Sequence, residues 1–212
     1  MRRAVVKLGG STAHAVEMET WVGALAASSL PLVIVPGGGP FADRVREAQE
    51  NMGFSDAAAH AMAILAMEQF GHAILDGHEK LTPARSLRDM ERALASGTIP
   101  VWLPSSMAIP EQDIPASWDI TSDSLAAWLA GKIGADALLL IKQTDAFSGG
   151  DTVDSLAARG IVDVGFAAML PPGLDFHLAG PEDAAGAQAM FSSGGLPGTR
   201  IAPSVRSARK AG

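Results

Sequence analysis

The amino-acid sequence predicts an α/β protein, a three-layer sandwich in which helices cover both faces of a mainly parallel sheet. Short apolar runs alternate with helical runs along the chain, and this order is typical of strand–helix–strand units. Some of the short runs, such as Leu32–Val35 and Ala137–Ile141, contain no polar residue, as expected of strands that are buried on both faces. Hydrophobic residues make up 48% of the 212 residues and charged residues 18%, so the chain can bury a core.

The elements of the first half of the chain follow from apolar runs, caps and glycines. Strands are expected over Ala4–Leu8 and Leu32–Val35, because each is a short apolar run that ends at glycines. Ser55 precedes a long apolar stripe and is expected to cap a helix that reaches about Ala73 or beyond. The other expected elements are helices over Ala15–Ser28, Phe41–Met52 and Pro83–Ala95 (with Thr82 as cap and Gly97 as stop) and a strand over Ile99–Leu103.

The second half continues the alternation after a loop over Ser105–Pro115 that prolines interrupt. A helix is expected over Ser122–Ile133, followed by the apolar strand over Ala137–Ile141 and a glycine-rich turn over Phe147–Thr152. The late elements are expected to be a strand over Phe176–Ala179, a helix over Glu182–Phe191 and a strand over Thr199–Ala202. The last residues, Val205–Gly212, are small and basic and are expected to fray.

Composition excludes several classes of function. With 23 acidic and 16 basic side chains, the chain has a formal net charge of −7 and lacks the basic footprint of a nucleic-acid-binding protein. It has no cysteine and no tyrosine, so disulfides, thiolate metal sites and catalysis by either side chain are excluded. No apolar stretch approaches the ~18 residues of a membrane span, and the first apolar run is too short for a secretory signal. We therefore expect a cytoplasmic protein with neither nucleic-acid nor membrane partners.

Two glycine-rich turns follow the first two strands, and a lysine stands at the end of the first. Each turn opens a helix, so backbone N–H groups and positive helix ends would form a concave surface that binds phosphate. Such ligands bind where the parallel strands of a sheet end. The alternative, glycines that only make tight turns, becomes weaker when two turns lie beside a lysine. The residues are Lys7, then Gly9, Gly10 and Ser11, and then Gly37, Gly38 and Gly39.

Two further polar segments contain candidate site residues. Asp119 and Asp123 are four residues apart, and Asp123 lies in the first turn of a helix that Ser122 could cap. Two carboxylates beside a phosphate-binding surface suggest magnesium or the positioning of lysines, whereas the alternative is a simple cap with solvent-facing acids. Lys142 and Asp145 directly follow an apolar strand, where they could hold a ligand. The five histidines show no metal-ligand spacing, so the sequence assigns no metal ligand to the protein itself.

The common phosphate-binding motifs do not fit these segments. Residues 37–42 (GGGPFA) lack the G-x-G-x-x-G spacing of dinucleotide-binding proteins. The one Gly-Lys pair, Gly131–Lys132, is followed by Ile133 and has no upstream glycine at Walker spacing. The sequence therefore excludes a P-loop protein and a typical dinucleotide-binding protein.

Taken in chain order, these segments resemble the amino-acid kinase superfamily, which includes acetylglutamate, uridylate, aspartate and isopentenyl phosphate kinases. The matching segments are Lys7–Ser11 (KLGGS), Val33–Pro40 (VIVPGGGP), Asp119–Ala127 (DITSDSLAA) and Ile141–Asp145 (IKQTD). The strand–helix–strand pattern at the end of the chain also matches the family, so the resemblance covers nearly the whole chain. Three stretches are similar to the aminomethylfuranyl-methyl phosphate kinases of methanofuran biosynthesis. They are Val35–Asp43, Ala59–Met67 and Trp118–Ser124.

The resemblance implies the amino-acid kinase fold and an ATP-dependent kinase that transfers the γ-phosphoryl group to a phosphate monoester carrying an amine. It implies a single domain over residues 1–212, with an acceptor-side half over about 1–117 and a nucleotide-side half over about 118–212. ATP would be the co-substrate, with Mg²⁺. The acceptor could instead be uridylate, isopentenyl phosphate or an acyl amino acid, and a non-catalytic storage or regulatory homologue that binds ATP or an oxyanion is a further alternative.

The resemblance also implies roles for single residues. Lys7 would contact the transferring phosphoryl group, Asp123 would orient lysines at the phosphates, and Asp119 would lie at the substrate. The phosphate cradle would comprise Gly9, Gly10, Ser11, Gly37, Gly38 and Gly39, and the nucleotide side would comprise Lys142, Thr144, Asp145 and Gly150. Arg44, on the helix after the triple glycine, could hold the acceptor's phosphate through forked contacts, whereas Arg46 is expected on a solvated helix face.

One departure from the family concerns the donor side. Relatives of the acetylglutamate kinase type carry a second phosphate lysine late in the chain, and the matching stretch here, Gly165–Leu170, has none. Either Lys142 supplies that charge, or an arginine does, or catalysis is weak.

The helix that follows Ser55 is expected to form a subunit interface. It is apolar on more than one face, while a helix on a sheet needs only one apolar stripe. A symmetric partner is the commonest way to bury the surplus, and relatives in the superfamily often dimerise through a comparable helix. We therefore expect a homodimer or a larger homo-oligomer, with His60 at or near the seam and not at the phosphates.

Overall fold

The computed structural model describes residues 3–202. Within this range the strands are β1 (Ala4–Leu8), β2 (Leu32–Pro36), β3 (Leu81–Ala84), β4 (Ile99–Trp102), β5 (Ala137–Ile141), β6 (Asp175–Ala179) and β7 (Thr199–Arg200). They form one sheet in the order β3-β4-β2-β1-β5-β6-β7. All neighbouring strands of this sheet are parallel except β6 and β7, which are antiparallel. The predicted, mainly parallel sheet is confirmed.

The described residues also form α-helices that alternate with the strands. They are α1 (Met18–Ala26), α2 (Gly39–Met52), α3 (Asp56–Leu75), α4 (Leu87–Ala95), α5 (Ser105–Ala108), α6 (Ser122–Lys132), α7 (Val153–Ala158), α8 (Phe166–Met169) and α9 (Ala184–Ser192). Short 3₁₀ turns precede α1 and α9, over Gly10–His14 and Pro181–Asp183. Across residues 3–202, no helix combines the length and the apolar character that a membrane crossing requires.

The core consists of two hydrophobic clusters, one on each face of the sheet. In β1, Val5 belongs to one cluster, while Ala4 and Val6 belong to the other. In β5, Leu138 and Leu139 divide in the same way. Such alternation is expected of buried strands, whose successive side chains point to opposite faces. Because helices cover both clusters, the predicted three-layer sandwich is confirmed.

The register of the central strands places three segments at one edge of the sheet. Leu8, the last residue of β1, is level with Pro36 of β2 and Ile141 of β5. The chain therefore leaves all three strands at the same height, and Gly9, Gly37 and Lys142 follow side by side. This is the edge at which ligands of parallel sheets bind.

The predicted helix over Pro83–Ala95 is wrong at its start. Thr82 and Pro83 belong to β3, which pairs with β4 at the edge of the sheet. Proline is tolerated on an edge strand because a missing N–H there breaks no ladder on the open side. The helix begins only after Ser86, whose side chain accepts a hydrogen bond from the backbone N–H of Asp89.

Several smaller predictions are also corrected. The predicted loop over Ser105–Pro115 contains the short helix α5, and the helix predicted over Ala15–Ser28 begins only at Met18. The sequence patterns gave no signal for α7 and α8, which lie between β5 and β6. The segment Val205–Gly212, predicted to fray, lies outside the described residues.

Candidate active site

A buried carboxylate lies between two lysines at the edge where the central strands end. Asp123, in the first turn of α6, lies with its Oδ1 2.8 Å from the Nζ of Lys7 in β1. Its other oxygen, Oδ2, accepts a hydrogen bond from the Nζ of Lys142, the residue after β5. Lys7 is only 5% exposed and Asp123 only 3%. The cluster therefore carries one more cationic group than anionic groups in a place that water barely reaches.

The opposite charges of this cluster offset the effect of burial on one another's pKa. Burial alone would raise the pKa of Asp123, but the neighbouring charges of Lys7 and Lys142 lower it to about 2. For Lys7, burial is the largest effect and lowers the pKa of the ammonium group, although the charge of Asp123 opposes that change. Asp123 is thus ionised at neutral pH and can fix the positions of both ammonium groups.

The two glycine turns touch each other directly beside Lys7. A Cβ atom added to Gly37 would lie 2.2 Å from the backbone nitrogen of Gly10, and one added to Gly10 would lie 2.4 Å from that of Gly39. No side chain fits at either position, because real Cβ atoms never approach so closely. A Cβ on Gly9 would lie 3.6 Å from the Nζ of Lys7. The turns therefore form one surface of backbone groups next to the lysine cluster.

Asp163 is a residue of the site region that sequence reasoning missed. Its Oδ2 accepts hydrogen bonds from Thr121 N (2.8 Å), Thr121 Oγ1 (2.8 Å) and Ser124 N (3.0 Å), and its Oδ1 accepts one from Ser124 Oγ. It thereby caps the N-terminus of α6, on either side of Asp123. The sequence predicted Ser122 as the cap. No local pattern could reveal Asp163, which is about 40 positions away in the chain.

A cavity of ≈ 270 Å³ extends from the glycine turns between α2, α3 and the start of α6. Its lining combines apolar side chains with polar and charged ones. Arg46 lines it and lies over the ring of Trp118, with the guanidinium carbon 4.4 Å from the ring centroid. The lining residues are Gly10, Ser11, Gly38, Gly39, Ala42, Asp43, Arg46, Asp56, His60, Ala63, Ile64, Met67, Ser117, Trp118, Ile120, Thr121, Ser122 and Leu125.

Two predicted acceptor-side residues lie outside this cavity. The side chain of Arg44 is 80% exposed and pairs with Glu47 on the outer face of α2. Asp119 is also exposed and is not part of the cavity lining, although both of its chain neighbours are. Helical geometry explains the first result, because Arg46 and Ala42 share the inner face of α2 while Arg44 points away from it. Arg46, which was predicted on a solvated helix face, lines the cavity while its side chain is 51% exposed.

The predicted nucleotide-side residues follow β5 at the same edge of the sheet. Asp145 accepts a hydrogen bond from the backbone N–H of Glu182 at 3.3 Å. Thr144 Oγ1 accepts one from Ala146 N at 3.1 Å. Gly150 lies in an exposed turn. Only Lys142 of this group reaches Asp123.

Among residues 3–202 no group of three or more His, Cys, Asp or Glu side chains is arranged to hold a metal ion. Asp123 is no exception, since each of its oxygens already faces a lysine. The donor set of the site therefore does not fit a magnesium ion bound by the protein alone.

Comparison with known proteins identifies the family and agrees with the fold. A sequence profile of the amino acid kinase family matches residues 2–158. The chain is 27% identical over 164 residues to a [5-(aminomethyl)furan-3-yl]methyl phosphate kinase of Methanocaldococcus jannaschii. This match covers 74% of this chain and 75% of that protein.

Solved structures of low identity share the fold. A uridylate kinase from Archaeoglobus fulgidus superposes with a TM-score of 0.68 at 16% identity, covering 95% of this chain and 100% of that one. An isopentenyl phosphate kinase superposes with a TM-score of 0.60 at 15% identity, again covering 95% of this chain and 100% of that one.

Proposed function

Because this chain belongs to the amino acid kinase family, we propose that it transfers the γ-phosphoryl group of ATP to a small phosphate monoester. The proposed acceptor is an aminomethylfuran methyl phosphate, as in the biosynthesis of methanofuran-type cofactors. The similarity to the Methanocaldococcus jannaschii kinase supports that choice. Uridylate, isopentenyl phosphate and acyl amino acids are the acceptors against which it must be tested.

The observation that carries the proposal is the Lys7–Asp123–Lys142 cluster beside the glycine turns. Phosphoryl transfer needs in-line positioning of the reactants and cations that offset the charge of the transferred group. One carboxylate that holds two ammonium groups supplies such cations in fixed positions, so little reorganisation is needed during the reaction. The acceptor is already an ionised phosphate, so no strong general base is required.

In this proposal Lys142 takes the place of the late lysine that the sequence lacks. Its Nζ hydrogen-bonds to Asp123 on the side opposite Lys7, so the cluster contains two lysines although none follows residue 142 within the described range. This geometry weakens the alternative of a non-catalytic storage or regulatory homologue, because that alternative rested on the missing charge.

The two halves of the chain would divide the substrates between them. Residues before about 118 supply most of the cavity lining and would bind the acceptor, and residues after it would bind the nucleotide. Lys142, Thr144, Asp145 and Gly150 are the proposed nucleotide-side residues. Mg²⁺ would arrive with the phosphates of ATP, because the protein offers no ligand cluster of its own within the described residues.

A direct assay of phosphoryl transfer tests this proposal. The purified protein is incubated with ATP and Mg²⁺ and with each acceptor in turn, and the product is measured by mass spectrometry. The product is a diphosphate from a phosphate monoester and an acyl phosphate from an acylated amino acid. We expect transfer to the aminomethylfuran methyl phosphate with a higher kcat/KM than to uridylate, isopentenyl phosphate or an acylated amino acid. Equal or better use of another acceptor would reject the proposed substrate, and no transfer to any of them would reject the activity.

A further inference from the structure

The cavity has two chemically different ends, because α2 and α3 run along it in opposite directions. Gly39, at the start of α2, packs on Phe70 near the end of α3, where an added Cβ would lie 3.4 Å from the ring. The glycine turns therefore mark one end. From that end, one face of α3 lines the cavity with Met67, Ile64, Ala63, His60 and finally Asp56. At ~1.5 Å of rise per residue, His60 lies roughly 10 Å and Asp56 roughly 16 Å along the axis from the level of Met67.

Asp56 lines the far end of the cavity, where it is exposed to solvent and has a neutral partner. Its Oδ1 accepts a hydrogen bond from Gln49 Nε2 at 2.8 Å. Gln49 Oε1 in turn accepts one from Trp118 Nε1 at 2.7 Å. Arg46 lies on the ring of Trp118, and the acid within its reach is Asp43, 3.7 Å away. Within residues 3–202, no cation forms an ion pair with Asp56.

His60 lies one helical turn from Asp56 in the same wall of the cavity, and its expected place at or near a subunit seam stays a prediction. The imidazole is partly buried, its Nε2 is out of contact with solvent, and neither ring nitrogen hydrogen-bonds to a described residue. Burial lowers the pKa of His60, so the ring is neutral at pH 7 and has one nitrogen that can accept a hydrogen bond. His60 lines the cavity while its Nε2 is sealed from solvent, so Nδ1 is the ring nitrogen that a ligand in the cavity can reach. As the lone-pair nitrogen of the neutral ring, Nδ1 can accept a hydrogen bond from such a ligand.

We propose that His60 and Asp56 bind a cationic amine at the end of the acceptor remote from its phosphate. This inference rests on the proposed function, which places the phosphate at the glycine turns. An ammonium group could donate one hydrogen bond to the imidazole and offset the charge of Asp56. The apolar stretch formed by Ala63, Ile64 and Met67 would hold the short body between the two charged ends. The site would then select phosphate monoesters that carry an amine over those that carry a hydroxyl group.

Calorimetry with a matched pair of acceptors tests the amine site without requiring turnover. The probes are the aminomethylfuran methyl phosphate and its counterpart with a hydroxyl group in place of the amine. For the unaltered protein we expect the amine compound to bind at least tenfold more tightly. His60→Leu should weaken its binding by roughly 10- to 100-fold, the range for hydrogen bonds to charged groups. Asp56→Asn should weaken it by roughly 2- to 5-fold, the range for exposed charge pairs, and should bring the affinities for the two compounds closer together.

Matched control variants and a kinetic readout separate this inference from the proposed function. His72→Leu and Asp76→Asn change the same residue types at the exposed opposite end of α3, outside the cavity, and should leave binding unchanged. In the transfer assay His60→Leu should raise the KM for the acceptor while the KM for ATP stays constant. Circular dichroism verifies that each variant is folded.

Each combination of results decides one of the two proposals. Unchanged binding in folded His60→Leu and Asp56→Asn would overturn the amine site, whatever the protein's activity. Equal affinity of the unaltered protein for both probes would overturn it as well. Selective binding of the amine compound that depends on both residues, without any transfer, would support the amine site and reject the kinase activity.

Discussion

Lys7 and Lys142 are brought together by a single acid, and this convergence explains why three buried charges coexist. Two neighbouring buried ammonium groups would repel each other, and an isolated buried carboxylate would be protonated. With Asp123 between them, each charge has an opposite partner. The sequence predicted all three residues from their positions at strand and helix ends. The family resemblance implied that Asp123 orients lysines, but no local pattern identified Lys7 and Lys142 as the pair that meets it, because that contact joins segments from three parts of the chain.

Lys7→Ala should abolish phosphoryl transfer and leave the fold intact. In the proposed mechanism the substitution removes a cation from the transferring phosphoryl group, and losing one such preorganised contact typically costs ~10²–10³-fold in kcat. It leaves the Lys142–Asp123 pair in place and removes the repulsion between the lysines, so the melting temperature should change little. The measurement is kcat by the diphosphate assay, with exposed Lys80→Ala as the matched control. Near-normal turnover in folded Lys7→Ala would remove Lys7 from the mechanism.

Asp123→Asn should lose both activity and stability. From the sequence alone, with Asp123 on an accessible first turn, a loss of rate with little loss of stability would be expected. The structure changes this expectation because the carboxylate is buried against two lysines. Removing one partner of a buried ion pair commonly costs ~3–5 kcal/mol. Asp154→Asn, an exposed acid in the first turn of α7, is the matched control.

The stability difference between the unaltered protein and Asp123→Asn should also depend on pH. The pKa of Asp123 lies below its ordinary value of 3.8, at about 2, so its contribution is complete above pH 4 and is lost as the pH falls from 4 to 2. A shift of this size corresponds to about 2 kcal/mol. Urea unfolding at pH 6, 4, 3 and 2 measures the difference, which should shrink below pH 4. A difference that stays constant over this range would contradict the ion-pair assignment.

At the scale of elements, the site depends on how α6 begins. Asp163 accepts hydrogen bonds from Thr121 and Ser124, which flank Asp123 on either side. The sequence correctly indicated a helix start near Ser122. It could not indicate the residue that satisfies the free N–H groups, since the cap comes from a distant loop. The start of α4 was predicted wrongly for a similar reason. Pairing with β4, which is not a local property of the sequence, decides the conformation of Thr82 and Pro83.

Asp163→Ala should lower both stability and kcat, because it leaves the first N–H groups of α6 without partners and loosens Asp123. Unpaired buried donors typically cost ~1–3 kcal/mol. Asp163→Asn retains an acceptor oxygen and should recover part of both losses. Asp89→Ala is the matched control, since Asp89 accepts hydrogen bonds from Arg85 N and Ser86 Oγ at the start of α4, outside the site. If Asp163→Ala lost stability and kept its kcat, the role of Asp163 would be that of a cap alone.

At the scale of the whole molecule, the sequence predicted the layers but not the order of the strands. Continuous apolar runs such as Ala137–Ile141 indicate strands covered on both faces, and this prediction is confirmed. The order is a tertiary property, because β1 pairs with β2, its neighbour along the chain, and also with β5. That second pairing brings Lys142 to Lys7 and so creates the site. Without the family resemblance, no pattern in the sequence specified it.

The surface of α3 supports the expectation of a homodimer, which remains a proposal. Residues such as Ile64 and Phe70 are buried in the core, while Met62 is 39% and Leu65 45% exposed on the same helix. Ala63, on the same helix, lines the cavity. A charge at Ala63 would therefore disturb the cavity as well as a seam, and Leu65 is the better position to test assembly.

Light scattering at micromolar concentration should give a mass of at least twice 21.8 kDa for the unaltered protein. Leu65→Glu should lower it to the monomer, because a charge buried in a symmetric seam meets its own copy across the axis. Leu87→Glu places the same charge on α4, where Leu87 is 42% exposed, and should leave the mass unchanged. A monomeric mass for the unaltered protein would contradict the dimer. A dimer that persists in Leu65→Glu would move the interface away from this face of α3, because two glutamates could not be buried there together.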